Sequence, residues 1–193
     1  LSRMPWRHAR FLLGPDAQTS ALRRLGPQAD YLHFAVHGTN DPGSPMDSAL
    51  LLSGAAGGTQ PLAAWDIFET LRLDASLVVL AACDTAPGVA AGHDAWLGLT
   101  RAFQFAGAKR VISAAWSVND GATASLMRSF YQHIQHQDSP ELALAKAQRA
   151  MLGGQLQLAA SAPTRGVGGL ATRTAADTRL PYYWAAFQVY LAP

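Results

Sequence analysis

The chain's single cysteine, Cys83, stands where an apolar run stops. In "SLVVLAACDTAPG" (Ser76 to Gly88), six apolar residues lead into the thiol, and Asp84 and Thr85 then break the polarity. His37 ends a second apolar run, "YLHFAVHG" (Tyr31 to Gly38), and is followed by a glycine. A thiol of pKa ~8.5 is mostly protonated near pH 7, and an adjacent imidazole draws it towards thiolate. Such a pair can attack a carbonyl carbon and then protonate the leaving amine. The oxyanion formed on the way needs backbone N–H donors. Gly38 permits close approach of the backbone, and the N–H of Cys83 is the second candidate. Each residue also has a plain structural reading. Cysteine is among the most buried residue types, and a histidine at a strand end is commonly a hydrogen-bonded core or surface group.

The elements that must position these two groups read as an α/β sandwich with a mainly parallel sheet, because short apolar runs alternate with helical patterns. Strands are expected at Ala9–Leu13, Tyr31–Gly38, Ser76–Ala82 and Arg110–Trp116, and "YYWAAFQVYL" closes the chain as a final strand. Ala49–Leu52 is expected to form a short hairpin strand. Helices are expected over Ala17–Leu25, over "PLAAWDIFETLRL" with Pro61 in its first turn, and over Asp94–Ala106. In the second of these, Leu62, Trp65, Phe68 and Leu71 form the apolar side. In the third, Leu97, Leu99, Phe103 and Phe105 do so. Two further helices open at Asn119-Asp120 and at Ser139-Pro140, both N-cap signals. Residues 153–180 lack either periodicity, are rich in Gly, Ala and Thr, and read as a flexible insertion. In an open parallel sheet, ligands bind outside the carboxyl ends of the strands. His37 and Cys83 stand at two such ends.

Composition excludes several classes. With 193 residues, 49% hydrophobic and 15% charged, the chain suits one well-cored domain and not a disordered tail. A formal charge of +2 with scattered arginines points away from a nucleic-acid partner. No apolar run reaches membrane-span length, and a lone cysteine fits a reducing, cytoplasmic setting. The chain begins at Leu1, which suggests a domain from a longer polypeptide. His133 and His136 lie at helical spacing, but no ligand set accompanies them, so neither a metal nor another cofactor is expected.

Four blocks, "YLHFAVHG", "SLVVLAACDTAPG", "GLTRAFQFAGAKRVISAAWSVND" and "PYYWAAFQVYL", in this order, resemble the CHAT domain. That domain is a caspase-like peptidase domain often fused to tetratricopeptide repeats. The resemblance implies a caspase–hemoglobinase-like three-layer α/β/α sandwich around a mainly parallel sheet. It also implies a cysteine endopeptidase acting on protein substrates, with His37 as general base, Cys83 as nucleophile, and Gly38 and Cys83 as oxyanion-hole donors. A fused or associated sensor domain, such as tetratricopeptide repeats, would regulate it. The alternative is a caspase-like scaffold with little peptidase activity. Where the family usually has a Gly-Glu-Gly-like segment after the cysteine, this chain has "GHDA", which makes His93 an unusual titratable neighbour. Asp84 and Asp120 are candidates for receiving a basic substrate side chain, and Trp116 for an apolar pocket wall. Asp84 also suits a turn, and Asp120 a helix start. Asp41 could orient His37, but no triad is assigned.

Overall fold

A computed structural model describes residues 8–41, 43–81, 83–84, 95–116, 119–156, 158 and 177–193. The chain divides into two compact units, one holding residues 2–117 and 187–193 and the other residues 118–186.

In the first unit, strand β1 (Tyr31–Phe34) leads to β2 (His37–Thr39), and β3 (Ala49–Ser53) and β4 (Thr59–Ala63) form a hairpin. Strand β5 (Leu77–Leu80) is followed by β6 (Cys83–Asp84), then β7 (Arg110–Ala114) and β8 (Phe187–Leu191). They make two four-stranded sheets. The first has the order β1-β5-β7-β8 and the second β4-β3-β2-β6. In the first sheet β5 is parallel to both β1 and β7 and the edge strand β8 runs antiparallel, while in the second β3 is antiparallel to both β2 and β4. All four β5 residues are buried, as a strand covered on both faces requires. The mixed α/β architecture with a mainly parallel central sheet is therefore the one the alternating pattern indicates.

Helices α1 (Thr19–Leu25), α2 (Ala64–Thr70) and α3 (Ala95–Phe105) belong to the same unit. Leu99, Ala102, Phe103 and Ala106 recur at i, i+3, i+4 and i+7 and are all buried. They join Phe34, Val78, Leu80, Ile67 and Leu71 in one core. The Phe34 and Phe103 rings lie 5.3 Å apart between centroids, tilted by 42°. Burying a side chain of this kind contributes roughly 1.5–3 kcal/mol. Helix α3 ends at Gly107, whose φ of 115° belongs to glycine's range. A Cβ there would lie 2.0 Å from the Leu73 carbonyl oxygen.

The second unit contains α4 (Asp120–Gln135), α5 (Pro140–Leu152) and the short α6 (Pro181–Trp184). The Asn119 side chain caps α4 by accepting from the amides of Gly121 and Ala122. Ser139 caps α5 by accepting from the Leu142 amide, with Pro140 opening the helix. Met127 and Phe130 of α4 are buried, as their spacing indicates, and Ile134 is half-buried. Gln148 of α5 donates to the Trp184 carbonyl at the end of α6. Between α4 and α5, the Asp138 carboxylate receives Lys146 at 2.8 Å and faces His133 at 3.3 Å. These contacts hold its carboxyl below the usual carboxylate range.

Five expectations need correction. Ala9–Leu13 is not a strand: it has no ladder partner, and Phe11, Leu12 and Leu13 are exposed. "YLHFAVHG" is two strands, because after Phe34 the chain leaves the central sheet and pairs with β3. Pro61 lies in β4 and not in a helix. β4 is an edge strand, where a missing N–H is tolerated, and α2 starts at Ala64. Trp65 and Phe105, expected on buried faces, are 48% and 61% exposed. "PYYW" is helical, with Pro181 in its first turn, and only Phe187–Leu191 forms the final strand. Most of the expected insertion, residues 157 and 159–176, lies outside the described residues.

Candidate functional site

The site is built by repeating one move on two neighbouring strands. β1 and β5 pair in parallel, Phe34 opposite Leu80, and the Ala81 amide donates to the Phe34 carbonyl at 2.9 Å. Both chains then step out of the central sheet and pair again, in parallel, as β2 and β6. In that second ladder His37 is the register partner of Cys83, and Gly38 of Asp84. Adjacent strands lie about 4.8 Å apart. The backbones of the two candidate catalytic residues are therefore immediate neighbours at the carboxyl end of the parallel sheet.

His37 is exposed and Gly38 buried. On its other side β2 is held by β3, with His37 opposite Leu51 and Gly38 opposite Leu50. The β2–β3 connection is stapled by its own polar groups. Asp41 accepts the amides of Gly43 and Ser44 at 2.9 and 3.0 Å, so its carboxylate serves this turn. The Ser48 hydroxyl accepts the Asp41 amide and donates to the Asn40 side chain. The turn Pro45–Asp47 also meets α3 closely enough that a Cβ on Gly98 would lie 1.9 Å from the Pro45 carbonyl oxygen. Residue types alone give no sign of this contact, since a helical glycine is commonly just a weak helix position.

Trp116 follows β7 at the same carboxyl end of the sheet and is half-buried. Asp120 lies in the other unit, exposed at the first position of α4 beside the Asn119 cap, where a carboxylate suits the helix dipole. Asp84 is placed by its backbone alone, beside Gly38. His93 lies outside the described residues. Tyr182 is exposed, and its ring meets Tyr183 edge-on at 5.1 Å in α6. Among the described residues no group of three or more His, Cys, Asp or Glu side chains could hold a metal ion. No described helix is long and apolar enough to cross a membrane.

One further histidine lies on β1. His33, opposite Val79, is largely removed from water, and this burial pushes its pKa from 6.5 down to about 4. The imidazole is thus neutral in the folded chain at neutral pH. An unfolded His33 takes up its proton near pH 6.5 while the folded one resists until about pH 4. Stability is therefore fully present above pH 6.5 and is lost progressively as pH falls through this window. Urea midpoints measured from pH 7.5 to 4 are expected to fall, and the fall should be smaller in His33→Gln. An equal fall in both proteins would refute the assignment.

The mixed α/β architecture with a mainly parallel central sheet is consistent with a caspase-like fold. A family model described as "CHAT domain" matches residues 1–192, and the chain belongs to that family. No curated protein matches the chain.

Proposed function

We propose that this chain is a cysteine endopeptidase that cleaves a protein substrate through a His37–Cys83 dyad. The observation that carries the reading is the register pairing of the two residues on adjacent short strands at the carboxyl end of the sheet. The Cys83 thiolate attacks the scissile carbonyl carbon, and the carbonyl electron pair moves onto oxygen. The Gly38 and Cys83 amides stabilise that oxyanion. As the oxyanion collapses, the carbon–nitrogen bond breaks and His37 imidazolium gives its proton to the leaving amine, leaving a thioester. His37 then removes a proton from water, whose oxygen attacks the thioester. The acid product departs and the thiol is restored. Asp84 and Trp116 would contact the substrate side chains. A fused or associated sensor domain, such as tetratricopeptide repeats, would control access, which the family membership supports.

The dyad is tested by alkylation. Cys83 is the only thiol in the chain, so iodoacetamide reports on it directly. The rate at pH 6.5 is expected to exceed that of an unperturbed exposed cysteine, and His37→Ala should abolish the excess. A thiol with the ordinary pH profile, unchanged by His37→Ala, would favour the scaffold reading.

A further inference from the structure

Between α1 and the β3–β4 hairpin lies a cleft of about 590 Å³, lined by Arg23 and Arg24, by Gln18 and Thr19, and by Ala55 and Gln60. No carboxylate lines it, and among the described residues neither arginine forms an ion pair. Arg23 is steadied from outside: its guanidinium donates to the Thr70 hydroxyl at 3.2 Å, and that hydroxyl donates in turn to the Asp66 carbonyl. The Thr19 hydroxyl, on the cleft wall, is buried and has no partner among the described residues. Two guanidiniums, two carboxamides (that of Gln18 donating to the Pro15 carbonyl) and an orphan hydroxyl make a concave surface with no carboxylate in its lining.

We propose that this cleft binds a small polyanion whose separate oxyanion groups engage Arg23 and Arg24. Guanidinium forks match phosphate and carboxylate oxygens in bidentate geometry, and the two arginines, both on α1, line the cleft together with Ala55 and Gln60 of the hairpin. The ligand would join α1 to that hairpin. β4 pairs with β3, and β3 with β2, Leu51 standing opposite His37. Occupancy of the cleft therefore braces the outer end of the sheet that ends in Cys83. This binding does not depend on the peptidase reading.

Calorimetric titration of the purified chain at low salt, with pyrophosphate and with citrate in separate arms, tests the proposal. Saturable one-to-one binding of either is expected, with a raised melting temperature and weakening at higher salt. Tighter pyrophosphate would assign phosphate chemistry, and tighter citrate a polycarboxylate. Arg24→Gln is expected to weaken binding about tenfold or more and Arg24→Lys less so, because lysine keeps the charge but loses the fork. Arg128→Gln, on α4, serves as the control and should leave binding unchanged. Absence of saturable binding in both arms would overturn the proposal. So would binding that survives Arg24→Gln, or capture of an acidic peptide alone.

Discussion

Cys83→Ala is expected to abolish peptide-bond cleavage while leaving the melting temperature within about 2 °C of the parent. The two halves of this expectation have different causes. The chemical half follows from the loss of the only thiol: no thioester can form, and the remaining oxyanion donors retain no nucleophile to assist. The structural half follows from position. β6 is two residues long and is held through backbone pairing with β2, which alanine can make as well as cysteine. His37→Ala should behave alike for stability, since the ring is exposed. Its cleavage rate should fall about 10²–10⁴-fold, the usual contribution of a positioned general base. The double variant should be no slower than Cys83→Ala, because residues acting as a unit are not additive. The measurement is cleavage of a denatured protein substrate or peptide library by the sensor-activated chain, with thermal unfolding in parallel. Undiminished cleavage by Cys83→Ala would sink the peptidase reading. A large loss of stability in that variant would point to a structural thiol instead.

The residues legible in the sequence are those whose role is local. Asn119 and Ser139 announce their helices because an N-cap acts within three residues, and the structure shows both side chains accepting the expected amides. The continuous apolar runs announce β5 and β7 because a strand buried on both faces has no polar side to display. What stayed hidden depends on distant partners. Ala35 and Val36 are as apolar as their neighbours, so nothing in "YLHFAVHG" marks where β1 ends and β2 begins. The break is imposed by β3, which arrives a dozen residues later to pair with β2. Pro61 fits a first helical turn and an edge strand for the same reason, the absent N–H, and only the hairpin decides between them. "PYYW" carries aromatic residues that favour strands, yet Pro181 and the contacts of α6 with α4 and α5 make it helical. For the site, the alternation placed His37 and Cys83 at strand ends. Of the second small sheet, which makes them register partners, the sequence signalled only the hairpin strand at Ala49–Leu52 and not its pairing with β2.

That second sheet is anchored by a contact no pattern reveals, and Gly98→Ala should expose it. A Cβ on Gly98 would stand 1.9 Å from the Pro45 carbonyl oxygen and 2.5 Å from its carbon, distances at which backbone must move. The turn cannot yield cheaply. It is tied by the Asp41 carboxylate to the amides of Gly43 and Ser44, by Ser48 to Asp41 and Asn40, and by the Ser48 carbonyl to the Ala64 amide. Helix α3 cannot yield cheaply either, since Leu99, Ala102 and Phe103 are fixed in the core. Alanine's helix propensity would return about 1 kcal/mol, well below the overpacking cost of about 3 kcal/mol or more. The melting temperature is therefore expected to fall by several degrees. Cleavage should fall further than stability explains, because the displaced turn runs directly into β3, whose pairing with β2 places Leu51 opposite His37, and would shift His37 relative to Cys83. Gly43→Ala, on the same connection, is the control. Its added carbon would meet nothing nearer than an Asp41 oxygen at 3.4 Å, an ordinary contact. If Gly98→Ala matched Gly43→Ala in both unfolding and cleavage, the close approach of α3 to the Pro45 turn would have no role in holding the dyad strand.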